Sequence, residues 1–138
     1  AFKYHPEGVY VATTGPRLET PAEIKKFSLC GGDLVGMTLV PEVFLAKELE
    51  LCYGSICYVV NFAEGIKDYP MKPGILFEGL LEERDQPRVD SIEAAFPKII
   101  CSLIEAVNNT PRNCACKDLM LRYKKRGDIG EDWHTWIE

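Results

Sequence analysis

No stretch of this chain stays apolar for the ~20 residues that a membrane-crossing helix needs, and its start shows no charged-then-apolar signal pattern. A helical membrane span is therefore excluded from the expected classes. Basic charge is also short: 16 Lys and Arg stand against 21 Asp and Glu, a net charge of −5. That balance argues against a nucleic-acid surface. Internal repeats and low-complexity tracts are missing, which sets aside repeat arrays and disordered linkers. An initiator Met is missing too, and Ala1 reads as a processed start or a fragment boundary. What remains is 138 residues, 46% apolar and 27% charged, the profile of a globular domain with a real core. Six cysteines, at 30, 52, 57, 101, 114 and 116, are scattered through apolar segments. Buried thiols in a cytoplasmic protein are the expectation, ahead of a disulfide framework.

The stretch from Gly32 to Gly65 organises the rest. Asp33 to Gly36 is a short apolar run ending at Met37-Thr38, and Pro41 suits the first turn of a helix. Val43, Phe44, Ala46, Leu49 and Leu51 then carry an apolar stripe beside Glu42, Glu48 and Glu50. Ile56 to Val60 is a continuous β-branched and aromatic run, predicted to be a strand buried on both faces and ending at Asn61-Phe62-Ala63-Glu64-Gly65. The expectation is a βαβ unit, with ligands outside the carboxyl ends of its strands.

Upstream, Gly8 to Thr14 predicts another strand, broken by Gly15-Pro16-Arg17-Leu18-Glu19. Thr20-Pro21-Ala22-Glu23 has the form of a capping box, and Gly31-Gly32 should end the helix it starts. Downstream, Lys67 to Gly74 predicts a loop, Ile75 to Leu81 a short apolar segment, and Glu82 to Arg88 an exposed charged stretch. Ile92, Phe96, Ile99, Leu103 and Val107 step by three or four, which predicts a helix from about Asp90 to Asn108 that Pro97 kinks or restarts. A basic amphipathic helix is expected over Asp118 to Arg126, then a tail with Trp133 and Trp136.

Taken singly, the polar residues at the strand ends have ordinary roles. Gly15 to Thr20 reads as a strand-to-helix connection, Glu19 as a dipole partner, Thr38 as a helix cap, Met37 as core and Asn61 as a turn residue. Their coincidence at three successive strand ends is what points to a site.

GPRLETPAE, GGDLVGMTLVPEVFLAKELELCY and VVNFAEG together resemble the C-terminal half of the trimeric purine nucleoside phosphorylase and methylthioadenosine phosphorylase family. The similarity is close from Gly8 to about Gly65 and loose in the later helices. It implies an α/β fold with a mixed sheet, present here in part. It also implies a cytoplasmic homotrimer that cleaves a nucleoside N-glycosidic bond with phosphate, giving base and ribose 1-phosphate, with no metal or organic cofactor. No nucleic-acid or membrane partner is expected. By the same resemblance Asn61 is the catalytic residue facing purine N7 and the 6-substituent, and Glu19 accepts from N1–H. Leu18, usually aromatic in the family, packs on base or sugar. Met37 lies against the ribose, Thr38 donates to phosphate, and Ala63 stands where adenine-specific members carry a second Asp. Glu19, Asn61 and Ala63 together imply a 6-oxopurine, because an ionised carboxylate only accepts and adenine N1 has no proton.

The family's glycine-rich phosphate turn, with the Arg and His that complete its anion site, belongs to an N-terminal half that these residues do not include. Residues 1–138 are therefore expected to be the C-terminal half of one domain and inactive alone. Residues 1–65 would carry sheet and base site, 66–88 a divergent loop, and 89–138 the closing helices. Two rival expectations stand beside this one: a non-catalytic nucleoside-binding or regulatory module, and a thiol–disulfide protein built on Cys114-Ala115-Cys116. No second ligand pair at metal spacing accompanies that motif, so the sequence favours plain thiols there over zinc. Lys117, Arg122 and Lys124 to Arg126 read as a solvated face, and His134 as part of a packed tail.

Overall fold

The computed structural model describes residues 3–68, 73–74 and 81–136. The chain divides into two compact units, Ala1–Met37 with Ile56–Thr110 and Thr38–Ser55 with Pro111–Glu138.

In the first unit, β1 (Tyr10–Ala12) and β2 (Leu34–Gly36) form a parallel pair in the register Tyr10 to Leu34, Val11 to Val35 and Ala12 to Gly36. Asp33 sets the start of that register: its carboxylate accepts from the Val9 N–H at 2.8 Å, while the Asp33 N–H donates back to Val9 O at 2.9 Å. The crossover is α1 (Pro21–Leu29), whose Ile24, at 6% exposure, is the buried apolar residue among the described residues of this unit. Both ends of α1 are locally encoded. Thr20 and Glu23 close the expected capping box around Pro21. At the other end the Gly32 N–H reaches Phe27 O and the Gly31 N–H reaches Ser28 O, with Gly31 at φ 86°. These are the bonds of a Schellman ending, which needs a left-handed residue that glycine adopts without steric cost.

The helix α3 (Gln86–Asn108) starts ahead of the expected Asp90, from Asp85 with Pro87 in its first turn, so Gln86 to Arg88 of the charged stretch are helical, and exposed as expected. Pro97 neither restarts nor ends it. A proline there removes one intrahelical bond to the Glu93 carbonyl, and both residues are exposed, so solvent is within reach of that carbonyl. The expected strand at Ile56–Val60 is not formed. The segment is irregular, with Ile56, Val59 and Val60 at 45%, 61% and 46% exposure. A doubly buried strand requires neighbours on each side, and among the described residues the sheet has β1 and β2 only. Tyr58 anchors the segment instead, its ring T-shaped to Phe96 of α3 at 5.1 Å. The βαβ unit realised is thus β1–α1–β2, and not the one expected over Gly32–Gly65. Of the segment expected over Ile75–Leu81, all but Leu81 lies outside the described residues, as do 69–72 in the preceding loop.

In the second unit, α2 (Glu42–Glu48) begins after Pro41, which occupies the N-cap position and makes no side-chain cap bond. The Thr38 cap reading therefore finds no counterpart at this helix start. Its far end is again a Schellman arrangement, from Leu51 N–H to Ala46 O and Glu50 N–H to Lys47 O, but the left-handed residue is Glu50 at φ 55°. Three groups hold it there. The Met120 N–H and Lys124 Nζ donate to its carboxylate at 3.0 and 2.8 Å, and Arg112 donates to its backbone carbonyl. The Glu50 pKa is lowered, by Lys124 first and then by the Met120 N–H, against an opposing desolvation. The expected basic helix is split into a 3-10 turn at Ala115–Asp118 and α4 (Leu121–Arg126), closed by Gly127. Trp133 is buried, at 7% exposure, and Lys124 Nζ lies 5.3 Å from its ring centre.

Because Thr20 supplies the first-turn cap of the crossover helix, Thr20→Ala is expected to lower stability by about 0.5–2 kcal/mol, read from the urea midpoint at unchanged slope. A shift below that range would mean the cap is made in another way.

Candidate active site

The loop between β1 and α1 carries the first group of residues. Glu19 is nearly buried, at 9% exposure, and its Oε1 accepts from the Thr13 hydroxyl at the end of β1. A buried carboxylate is tolerated where it has such donors. Leu18 beside it is half-buried. Arg17 fixes the loop from outside. Its Nη1 donates to Leu18 O at 3.2 Å, and both terminal nitrogens reach the Glu23 carboxylate, at 3.0 and 2.6 Å. Glu23 also accepts from the Thr20 N–H at 2.8 Å and the Thr20 hydroxyl at 3.0 Å. The Arg17 guanidinium first, and then the two Thr20 donors, pull the Glu23 pKa from its ordinary 4.5 to about 2.

Two further segments reach this loop. A Cβ added at Gly15 would stand 2.5 Å from Met37 Sδ, so the thioether just past β2 lies against the loop backbone. Gly65, at φ 75°, packs just as closely on Pro21, where an added Cβ would come within 2.6 Å of the proline Cβ. The turn carrying half-buried Asn61 and Ala63 is thus docked on the first residue of α1, next to Thr20 and Glu19. Leu18, Glu19, Met37, Asn61 and Ala63 therefore belong to one unit and to connected loops. Thr38 is exposed and belongs to the other unit.

Asn61 lines a cavity of about 630 Å³ together with Phe62, Lys67, Arg84, Asp85 and Arg88. That volume is in the range of small-ligand sites. Lys67 Nζ stands 3.9 Å over the Phe62 ring and 2.7 Å from Glu82, whose pKa it lowers. The sequence places Lys67 in a loop and Arg84 and Arg88 in an exposed charged stretch, and both arginines are exposed, but it gives no sign that they line a pocket. The early start of α3 is what turns Asp85 and Arg88 toward a pocket role. Thr13 and the Arg17–Glu23 pair were missed as well; a hydroxyl at a strand end, six residues before an acid, was the available signal.

The thiols are free, as expected, but not buried: five are exposed and Cys116 is intermediate. The apolar segments around them pack on too little of the chain to cover them. Cys52 Sγ lies 3.1 Å from Cys114 Sγ, and Cys116 is beside both. Hydrogen bonding from Cys52 first, helped by Cys116 and Arg112, pushes the Cys114 thiol down to about 6. His134, expected in a packed tail, is exposed and meets Trp133 edge-on at 6.0 Å; it is Trp133 that is buried there.

The parallel βαβ core, with its site loop at the carboxyl end of β1, sits inside the region that matches the profile of the phosphorylase superfamily, residues 2–101. The chain belongs to that superfamily. It is 44% identical over 91% of its length to a probable 6-oxopurine nucleoside phosphorylase of Dictyoglomus turgidum, covering 43% of that protein. It is 41% identical over 85% of its length to the 6-oxopurine nucleoside phosphorylase of Pyrococcus furiosus, covering 40% of it. A probable S-methyl-5′-thioinosine phosphorylase of Methanopyrus kandleri is 50% identical over 72% of this chain and 40% of its own. The chain thus spans about two fifths of the length of these relatives. No solved structure matches it.

Glu23 is expected to titrate near pH 2 by carboxyl NMR, and Arg17→Ala to bring it back toward 4.5. Its folded pKa is depressed, so its contribution to stability is full above about 4.5 and lost as pH falls toward 2. A midpoint near 4.5 in the native protein would show the clamp open in solution.

Proposed function

We propose that this chain is the C-terminal part of an enzyme that phosphorolyses a 6-oxopurine nucleoside to the free base and a pentose 1-phosphate. The observation that carries the reading is Glu19: an acceptor-only carboxylate, nearly buried, with Thr13 on one oxygen. Its other oxygen would meet the N1–H of a 6-oxopurine, a proton that adenine lacks. The names of the relatives support the same base, since inosine carries a 6-oxo group.

Cleavage builds positive charge on the ribosyl ring and negative charge on the leaving purine. Asn61 answers the second of these. Its NH₂ donates to O6 and its carbonyl accepts from a protonated N7, so both bonds strengthen as charge develops and favour the transition state. Met37 would pack on the ribose, Leu18 on the base or sugar, and Ala63 leaves out a second acid. Thr38 donates to phosphate, the co-substrate, and no organic cofactor takes part. One neutral hydroxyl is a weak anchor for an anion, so the phosphate site needs residues beyond these. On this reading 1–65 carry the base site, 66–88 connect, 89–138 close the domain, and the full protein is a cytoplasmic homo-oligomer.

Two measurements test it. The 138-residue chain alone is expected to show no inosine phosphorolysis above background, while a protein extended to the relatives' length does; turnover by the purified chain alone would overturn the two-part site. In the extended protein, Asn61→Asp is expected to lower the inosine-to-adenosine ratio of kcat/KM roughly 5- to 150-fold, because a carboxylate has no proton for O6 and repels it. Glu19 still disfavours adenine in that variant, so the ratio falls without inverting. An unchanged ratio in a folded variant would mean that Asn61 does not read the base.

A further inference from the structure

Cys114 and Cys116 offer only a ligand pair, which is why their spacing by itself says little about metal. The fold adds a third. Cys52, 62 residues before Cys114, brings its sulfur to 3.1 Å from it, and the Sγ atoms of Cys52, Cys114 and Cys116 all lie within 4.8 Å of one another. Sulfurs on one zinc ion at about 2.3 Å stand about 3.8 Å apart in a tetrahedral site, inside the span seen here. The Arg112 guanidinium faces Cys114 and Cys52.

We propose that Cys52, Cys114 and Cys116 form a three-thiolate site for a soft divalent cation of the zinc type, with Arg112 as its outer partner. A disulfide uses two sulfurs and leaves the third idle. Three sulfurs converging from two chain segments are the donor set of a d¹⁰ ion. On binding, each thiol gives its proton to solvent, three metal–sulfur bonds form, and the hydrated ion sheds five of its six waters to become four-coordinate. Three thiolates on a dication leave one negative charge, and the Arg112 guanidinium offsets it. The fourth position stays open to water or to a small thiol, since Cys52 and Cys114 are exposed.

The ion has structural work to do in this unit. The second unit is small, and among its described residues Trp133 is the one apolar side chain that is buried. Such units commonly rely on a covalent or metal cross-link. Cys52 follows α2 on one segment and Cys114 with Cys116 open the other, so the metal would tie the two segments together. The Glu50 bonds to Met120 and Lys124 already bring those segments into register.

The test uses the full chain, reduced and stripped of metal with a chelator, titrated with Cd²⁺ and followed by thiolate-to-metal charge-transfer absorption. One ion per chain is expected, with Zn²⁺ competing and Mg²⁺ silent, and with a melting temperature raised by Zn²⁺ and Cd²⁺ but not by Mg²⁺. Cys52→Ser, Cys114→Ser and Cys116→Ser should each weaken Cd²⁺ binding about 100-fold or more, and Arg112→Ala about 10- to 100-fold. Cys30→Ser and Cys101→Ser should leave it unchanged. The proposal is overturned if the reduced wild-type chain gives no charge-transfer band, or if Cys52→Ser binds as tightly as wild type. Peptides linked through Cys52 and Cys114, two hydrogens lighter, in a protein whose reduced form takes up no Cd²⁺ would assign the cluster to a disulfide instead.

Discussion

Four donor contacts on the Glu23 carboxylate fix the loop that leads into α1. One carboxylate accepts from Arg17, from the Thr20 N–H and from the Thr20 hydroxyl, and so joins the loop, the cap and the first turn of α1. Glu19 lies inside that closed circuit. Its burial is not a local preference, since carboxylates are seldom found below a tenth of their free exposure. It follows from a loop pinned at Arg17 on one side and at Thr20 on the other. Gly15 and Gly65 complete the assembly by permitting contacts that a side chain would block, with Met37 and Pro21 respectively.

Much of this was legible because it is local. The capping box, the proline at the head of α1 and the paired glycines at its end fall within one turn of the groups they serve. Two of the three site motifs are short for the same reason, since they follow β1 and β2, while Asn61 follows a segment that forms no strand. The resemblance built on them, and the family match over 2–101, agree. Ile56–Val60 shows where local reading ends. Its composition is that of a central strand, but a ladder needs partners, and propensity for a pleated surface says nothing about who supplies them. The same holds for the cavity beside Asn61. Arg84, Asp85 and Arg88 line it because α3 begins at Gln86, a boundary set by Pro87 and packing more than by the apolar stripe that starts at Val89 and Ile92. Cys52 joins Cys114 across 62 residues, beyond the reach of any spacing rule.

The two units differ in what holds them. The first relies on a parallel strand pair, one helix crossover and an aromatic contact between Tyr58 and Phe96. The second relies on polar bonds around one residue, Glu50, with Trp133 under Lys124. Exposed ion pairs contribute little to stability, but the Lys124 and Glu50 side chains are 23% and 12% exposed, and there the geometry counts for more.

Glutamate is an unusual choice for a left-handed position, where a non-glycine residue carries a cost of roughly 1–2 kcal/mol. A glycine at 50 would relieve the backbone and at the same stroke orphan the Met120 N–H and the Lys124 ammonium. Alanine or leucine would keep the strain and lose the bonds as well. Position 50 thus sets backbone ease against side-chain bonding, and the glutamate takes the strained backbone together with its bonds to Met120 and Lys124.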